Sequence, residues 1–208
     1  MDKSIQVAAL FNQSGASYLI SNQPELAVEC FQKALTCVTS PVQALALCIA
    51  QSQQEMMSQQ KSVLACREED TDGYLYSKPF FFNPTASITE EEILPCGGVI
   101  MFNLAISYHR RGSELDLATA IKLYDRCLSL VRFAQAFDCS NVIIAALHNK
   151  ARAYEDLCDY NMARAAFQML AKILQSDGLR TDTMDSRDLQ EVCLSIYFFK
   201  VPTCAAIA

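Results

Sequence analysis

Two histidines, ten cysteines and one run of three glutamates are the side chains that catalysis or metal binding in this chain would have to use. His109 and His148 fall on separate helices, and neither belongs to an HExxH or similar pattern that would bring two imidazoles to one ion. A Cys–His nucleophile needs a thiol within hydrogen-bond reach of an imidazole; Cys96, Cys139 and Cys158 are the candidates. The remaining cysteines, Cys30, Cys37, Cys48, Cys66, Cys127, Cys193 and Cys204, are scattered, and no CxxC occurs. Their spacing supports neither a zinc site nor a redox pair. In Glu90-Glu91-Glu92, adjacent carboxylates on a helix point apart, so the run reads as an N-terminal charge favoured by the helix dipole. There is no Walker loop, GxGxxG or GxSxG, and Gly97-Gly98 has no phosphate-loop context. No catalytic, cofactor-binding or metal-binding residue is expected, and the chain reads as non-enzymatic.

The bulk numbers agree with that reading. At 208 residues, 51% hydrophobic and 19% charged, the chain is an ordered, core-forming protein. The net charge of −6 argues against nucleic acid, whose phosphates need a basic face. No apolar run reaches the roughly 18 residues that would span a bilayer. The N-terminus lacks the charged, apolar and small-residue regions of a signal peptide. A cytoplasmic protein without membrane contact is expected, and its cysteines are then reduced thiols acting as small core residues.

Helical periodicity dominates. A first helix runs from about 3 to 20, with Val7, Leu10, Phe11, Ser14 and Tyr18 on one face. Pro24 suits the first turn of a second helix carrying Leu26, Ala27, Cys30, Phe31, Ala34 and Leu35. Ser40-Pro41-Val42-Gln43 opens a third helix with a capping-box arrangement, continuing into a glutamine-rich stretch at 51–60 that reads as a solvated face. An insertion at about 67–95 follows. Its aromatic run, Tyr74-Leu75-Tyr76-Ser77-Lys78-Pro79-Phe80-Phe81-Phe82, reads as extended, and it is expected to pair with residues 89–94 as a short hairpin. Two further helical pairs cover 97–134 and 140–176, with Ser140 and Asp159 as N-caps and Gly178 as a stop. A closing helix at 186–199 shows Leu189, Val192, Cys193, Ile196 and Phe199 on one face.

The pairs share a pattern. Gly15-x-x-Tyr18 with Ala27-x-x-x-Phe31-x-x-Ala34 recurs as Ala105-x-x-Tyr108 with Ala120-x-x-x-Tyr124-x-x-Cys127. It recurs again as Ala151-x-x-Tyr154 with Ala163-x-x-x-Phe167-x-x-Leu170. Small residues against rings describe two helices pressed close together. The second copy has three additional residues, expected in the turn around Gly112-Ser113-Glu114. In this order of residues the chain resembles the tetratricopeptide repeat, a helix–turn–helix unit of about 34 residues. The resemblance covers about half of the chain. It implies an all-α single domain spanning 1–208. Its hairpins, at about 4–39, 97–134 and 140–176, would stack in a right-handed superhelix interrupted by the aromatic insertion and closed by a capping helix.

The resemblance also implies a concave groove, lined by the first helix of each pair, that binds a protein or peptide partner. Carried over, that lining is Asn12 from the first copy and Phe102, Asn103, Ile106, His109 and Arg110 from the second. The third supplies His148, Asn149, Arg152 and Glu155. Phe102 and Ile106 would receive an apolar side chain, with His148, Arg152, Glu155 and Asp156 setting its orientation. The alternative at Arg152 is an ion pair with Glu155 or Asp156 one turn on. One subgroup of the family clamps a chaperone's terminal carboxylate with lysines and an arginine. Here those slots hold Asn12, Ala145 and Asn149, so that chemistry is not expected. Two other functions fit the residues: self-association, as a homodimer, through the aromatic segment at 74–82, and a cysteine-based redox or metal-binding role.

Overall fold

The computed structural model of the protein describes residues 3–38, 75–82, 90–131, 139–175 and 184–200. Among these residues all regular structure is helical, and the fold is all-α. The helices are α1 (Lys3–Ile20), α2 (Pro24–Val38), α3 (Glu90–Arg111), α4 (Glu114–Val131), α5 (Ser140–Asp156), α6 (Tyr160–Leu174) and α7 (Ser186–Lys200). Each packs on the next in chain order; α3 also touches α1 and α5. The expected third helix at 40–66, the glutamine stretch and Gly178 lie outside the described residues.

The recurring pattern sits where the helices of a pair meet. A Cβ on Gly15 would stand 2.7 Å from the Phe31 ring, so only glycine lets α1 approach α2 this closely. Ala105 and Tyr124 are both fully buried, as are Ala151 and, within 1%, Phe167. Burying a ring of this size contributes roughly 1.5–3 kcal/mol. Cys127 is likewise completely buried in the slot that Ala34 fills in the first pair.

The turns repeat as well. Asn22 and Cys158 have φ of 55° and 58°, and Gly112 has φ of 70°. Each lies four residues after its copy's tyrosine. In the first and third turns the N–H groups of Gln23 and Asp159 donate to the carbonyls of Tyr18 and Tyr154, at 2.9 and 2.8 Å. The left-handed residue and this reach-back bond terminate the helix by satisfying carbonyls that have no partner within it.

Several expectations are corrected. The three additional residues of the second copy are not in the turn. The α3–α4 turn is only Gly112 and Ser113, while α4 runs six steps before Ala120, against three in α2 and α6. Residues 90–94 belong to α3 rather than to a strand, so the hairpin does not form. The helix begins before Gly97 and takes Pro95 into its second turn, where proline removes one backbone hydrogen bond and crowds the carbonyl four residues back. Ser140 is the first helical residue of α5, and Cys139 occupies its N-cap without a side-chain cap bond. Asp159 does cap α6, accepting from the Met162 N–H at 3.2 Å.

On α1 the buried face is Ile5, Ala8, Asn12, Gly15, Ala16 and Leu19, whereas Val7, Leu10 and Tyr18 are exposed. On α2, Leu26 is exposed. On α7, Val192 and Ile196 are buried and Cys193 is exposed. The cysteines divide accordingly. Cys96, Cys127 and Cys139 are core thiols, Cys30 and Cys37 are half-buried, and Cys158 and Cys193 face solvent.

Candidate functional site: an asparagine-lined face holding an irregular segment

Residues 75–82 adopt neither helix nor strand and cross the first helices of all three pairs, held by side chains rather than by a sheet. Asn149 on α5 accepts from the Tyr76 N–H at 2.9 Å and donates to the Tyr76 carbonyl at 2.8 Å. Asn103 on α3 treats Phe80 in the same way, at 2.9 and 2.8 Å. Asn12 on α1 adds a bond to the Phe80 carbonyl at 3.1 Å and accepts from Asn103 at 2.9 Å. A carboxamide carries one donor and one acceptor side by side, so it can pair with both main-chain groups of one residue. All three asparagines are essentially inaccessible to water, and unpaired they would be costly. Arg110 donates to the Leu19 carbonyl and, at 3.5 Å, to that of Ser77. Its half-buried guanidinium has its pKa lowered by desolvation.

The rings of the segment complete the contact. Tyr76 and Phe80 stack at 5.5 Å, and both lie against Phe102, at 6.2 and 5.0 Å. Tyr76 is buried and its hydroxyl pKa is raised, chiefly by that burial. Phe80 and Phe82 are half-buried, while Phe81 is 59% exposed. Lys78 reaches the opening turn of α7, with Nζ 2.6 Å from an Asp188 carboxylate oxygen and 3.6 Å from one of Asp185. Hydrogen bonding to Asp188 is the main reason that the Lys78 pKa is raised.

Of the residues expected to line a groove, Asn12, Phe102, Asn103, Arg110 and Asn149 converge on this segment. The others do different work. Ile106 is a core residue. His109 ties three helices together, with Nδ1 3.3 Å from the Tyr124 hydroxyl and Nε2 3.2 Å from Asp156. This Asp–His–Tyr order resembles an activated hydroxyl, but Tyr124 is completely buried and burial pushes its pKa up. It therefore offers no nucleophile to a substrate. His148 lies under α7, with Nε2 3.1 Å from Ser195 and its ring against Phe167. Arg152 pairs with Glu155, as the helical spacing allows, and burial raises the Glu155 pKa despite that neighbour.

Sequence reasoning missed Asp185, Asp188 and the role of Lys78. It also treated the aromatic run and the groove as separate features. One signal was available: Asn103 and Asn149 both stand two residues before the small residue of their copy. That placement alone does not reveal which main chain they hold. Among the described residues no group of three potential ligands could hold a metal ion, and no helix is long and apolar enough to cross a membrane. No protein-family model matches the chain, and neither the curated proteins nor the solved structures provide a match.

Proposed function

We propose that this chain is a non-enzymatic, cytoplasmic protein-interaction scaffold of tetratricopeptide-like type. Its hairpins stack as a right-handed superhelix whose concave face grips a partner peptide by its main chain. One observation carries the reading: Asn103 and Asn149 each pair with both main-chain groups of one residue, four residues apart. That geometry recognises peptide backbone whatever its side chains, which is the basis of main-chain peptide capture. Asn12 and Asn149 stand where the carboxylate-clamping subgroup has cations, so neutral peptide groups replace a terminal carboxylate as the recognised feature.

The test is a display selection of random peptides on the intact protein. Selected peptides should lose about tenfold or more in affinity when the amide facing Asn103 or Asn149 is N-methylated, since a buried acceptor is then left unpaired. A selection yielding only peptides indifferent to N-methylation and to Asn149→Ala would refute the proposal.

A further inference from the structure

Resting on that reading, we infer that residues 75–82 are a tethered self-ligand, held where a partner segment of the same chemistry binds. The partner is a non-helical segment with aromatic side chains four residues apart, able to stack on each other, and a lysine or arginine midway between them. Its specificity comes from three places. Phe102 receives the two rings, the carboxamides of Asn103 and Asn149 hold the main chain, and Asp185 with Asp188 receives the central cation. The direction is fixed as well. The first aromatic residue lies at α5 and the second at α3 and α1, so the segment runs against the order of the helical pairs.

The segment is built differently from the elements around it. No ladder or helix secures it; Tyr76, Ser77, Lys78 and Phe80 are held by side chains of other elements. Lys78 is 57% exposed at its side chain, Phe81 is exposed, and Ser77 and Pro79 are half-buried. Only Tyr76 of the segment is buried, with Phe80 and Phe82 packed at its side, and an element partly exposed over most of its length opens below the global unfolding free energy. The occupied state is then one side of a competition. A segment tethered by its own chain acts at an effective concentration on the order of millimolar, so a free peptide must exceed that or the tether's hold must be weakened. Lys78 is the point at which to weaken it. Replacing it with glutamate sets a third carboxylate beside Asp185 and Asp188 without touching the core.

The experiment compares the full-length protein with its Lys78→Glu variant. The probe is a labelled peptide of sequence Leu-Tyr-Ser-Lys-Pro-Phe-Phe-Phe, read by fluorescence anisotropy, with amide exchange followed in parallel. The Tyr76 and Phe80 amides should exchange faster than the core amides of α3 and α5, and about tenfold faster again in the variant, the scale of one charge-assisted bond. The peptide should bind the variant at least tenfold more tightly than wild type, and a peptide with glutamate in place of its lysine should not bind. Exchange of Tyr76 and Phe80 only through global unfolding would overturn the inference, because the segment is then a fixed part of the core. Capture by the opened variant of N-methylation-sensitive peptides lacking the aromatic–basic–aromatic pattern would also overturn it, leaving the scaffold reading intact. An opened variant that binds no peptide at all would remove both.

Discussion

His148 and Asn149 are adjacent on α5, yet they serve different neighbours: Asn149 holds the 75–82 segment, and His148 lies under the last helix. Desolvation lowers the His148 pKa to about 4. The imidazole is therefore neutral in both folded and unfolded chains at pH 7. As pH falls below about 6.5, the unfolded chain takes up a proton that the folded one refuses until about 4. Stability is lost over that window, on the order of 3 kcal/mol from this group. His148→Gln should flatten the fall in unfolding free energy between pH 6.5 and 4 relative to wild type, measured by urea denaturation at each pH. An unchanged slope would show that His148 is protonated in the folded state. At this scale the sequence was partly legible. Repeat position marked Asn103, Asn149 and Phe102 as facing a ligand, and the Arg152–Glu155 pair follows from helical spacing. Lys78 and Asp188 could not be paired in advance, because 110 residues separate them and neither carries a local signal of the other.

Helices were the most legible elements, since 3.6-residue periodicity and the small-residue/aromatic pattern are local properties. What failed was choosing a face when two apolar stripes compete. The stripe of Val7, Leu10 and Tyr18 is more hydrophobic than that of Ala8, Asn12, Gly15 and Ala16, yet the second is buried. Close approach to Phe31 selects small residues, and Asn12 is buried because its carboxamide is satisfied. The turns yield a prediction at the same scale. Cys158 stands in the left-handed region where Gly112 stands in the second pair, and its Cβ makes that conformation costly by roughly 1–2 kcal/mol. Cys158→Gly removes that strain but adds freedom to the unfolded chain, worth roughly 0.5–1 kcal/mol in the opposite direction. The net expectation is a gain of about 0.5 kcal/mol, seen as a small rise in the thermal midpoint. Cys158→Val should lower it, since a β-branched residue tolerates this conformation least.

Across the whole molecule, residues 75–82 add a second link between elements that also meet directly, as α3 does with α1 and α5 and as His148 of α5 does with Ser195 of α7. The segment touches α1, α3, α5 and α7, so its two asparagine clamps are fastened to one object. Truncating Asn149 removes the partner of the Tyr76 N–H and C=O, while truncating Asn103 removes that of the Phe80 N–H and of the Asn12 carboxamide oxygen, the Phe80 C=O keeping Asn12; each lost partner costs about 1–3 kcal/mol if the segment stays in place. The segment has an alternative, which is to leave and be solvated. The cost of removing one clamp is then capped by the net free energy holding the segment, and removing the second adds little. In a double-mutant cycle Asn103→Ala with Asn149→Ala should therefore cost less than the sum of the single changes, by about 1 kcal/mol or more. Urea denaturation of the four proteins measures this directly. Strict additivity would mean that the two ends of the segment are held independently and that neither release exposes the other clamp. A sub-additive cycle, with an unchanged dependence on urea for the helical body, would mark the segment as one cooperative unit laid on a scaffold that stands without it.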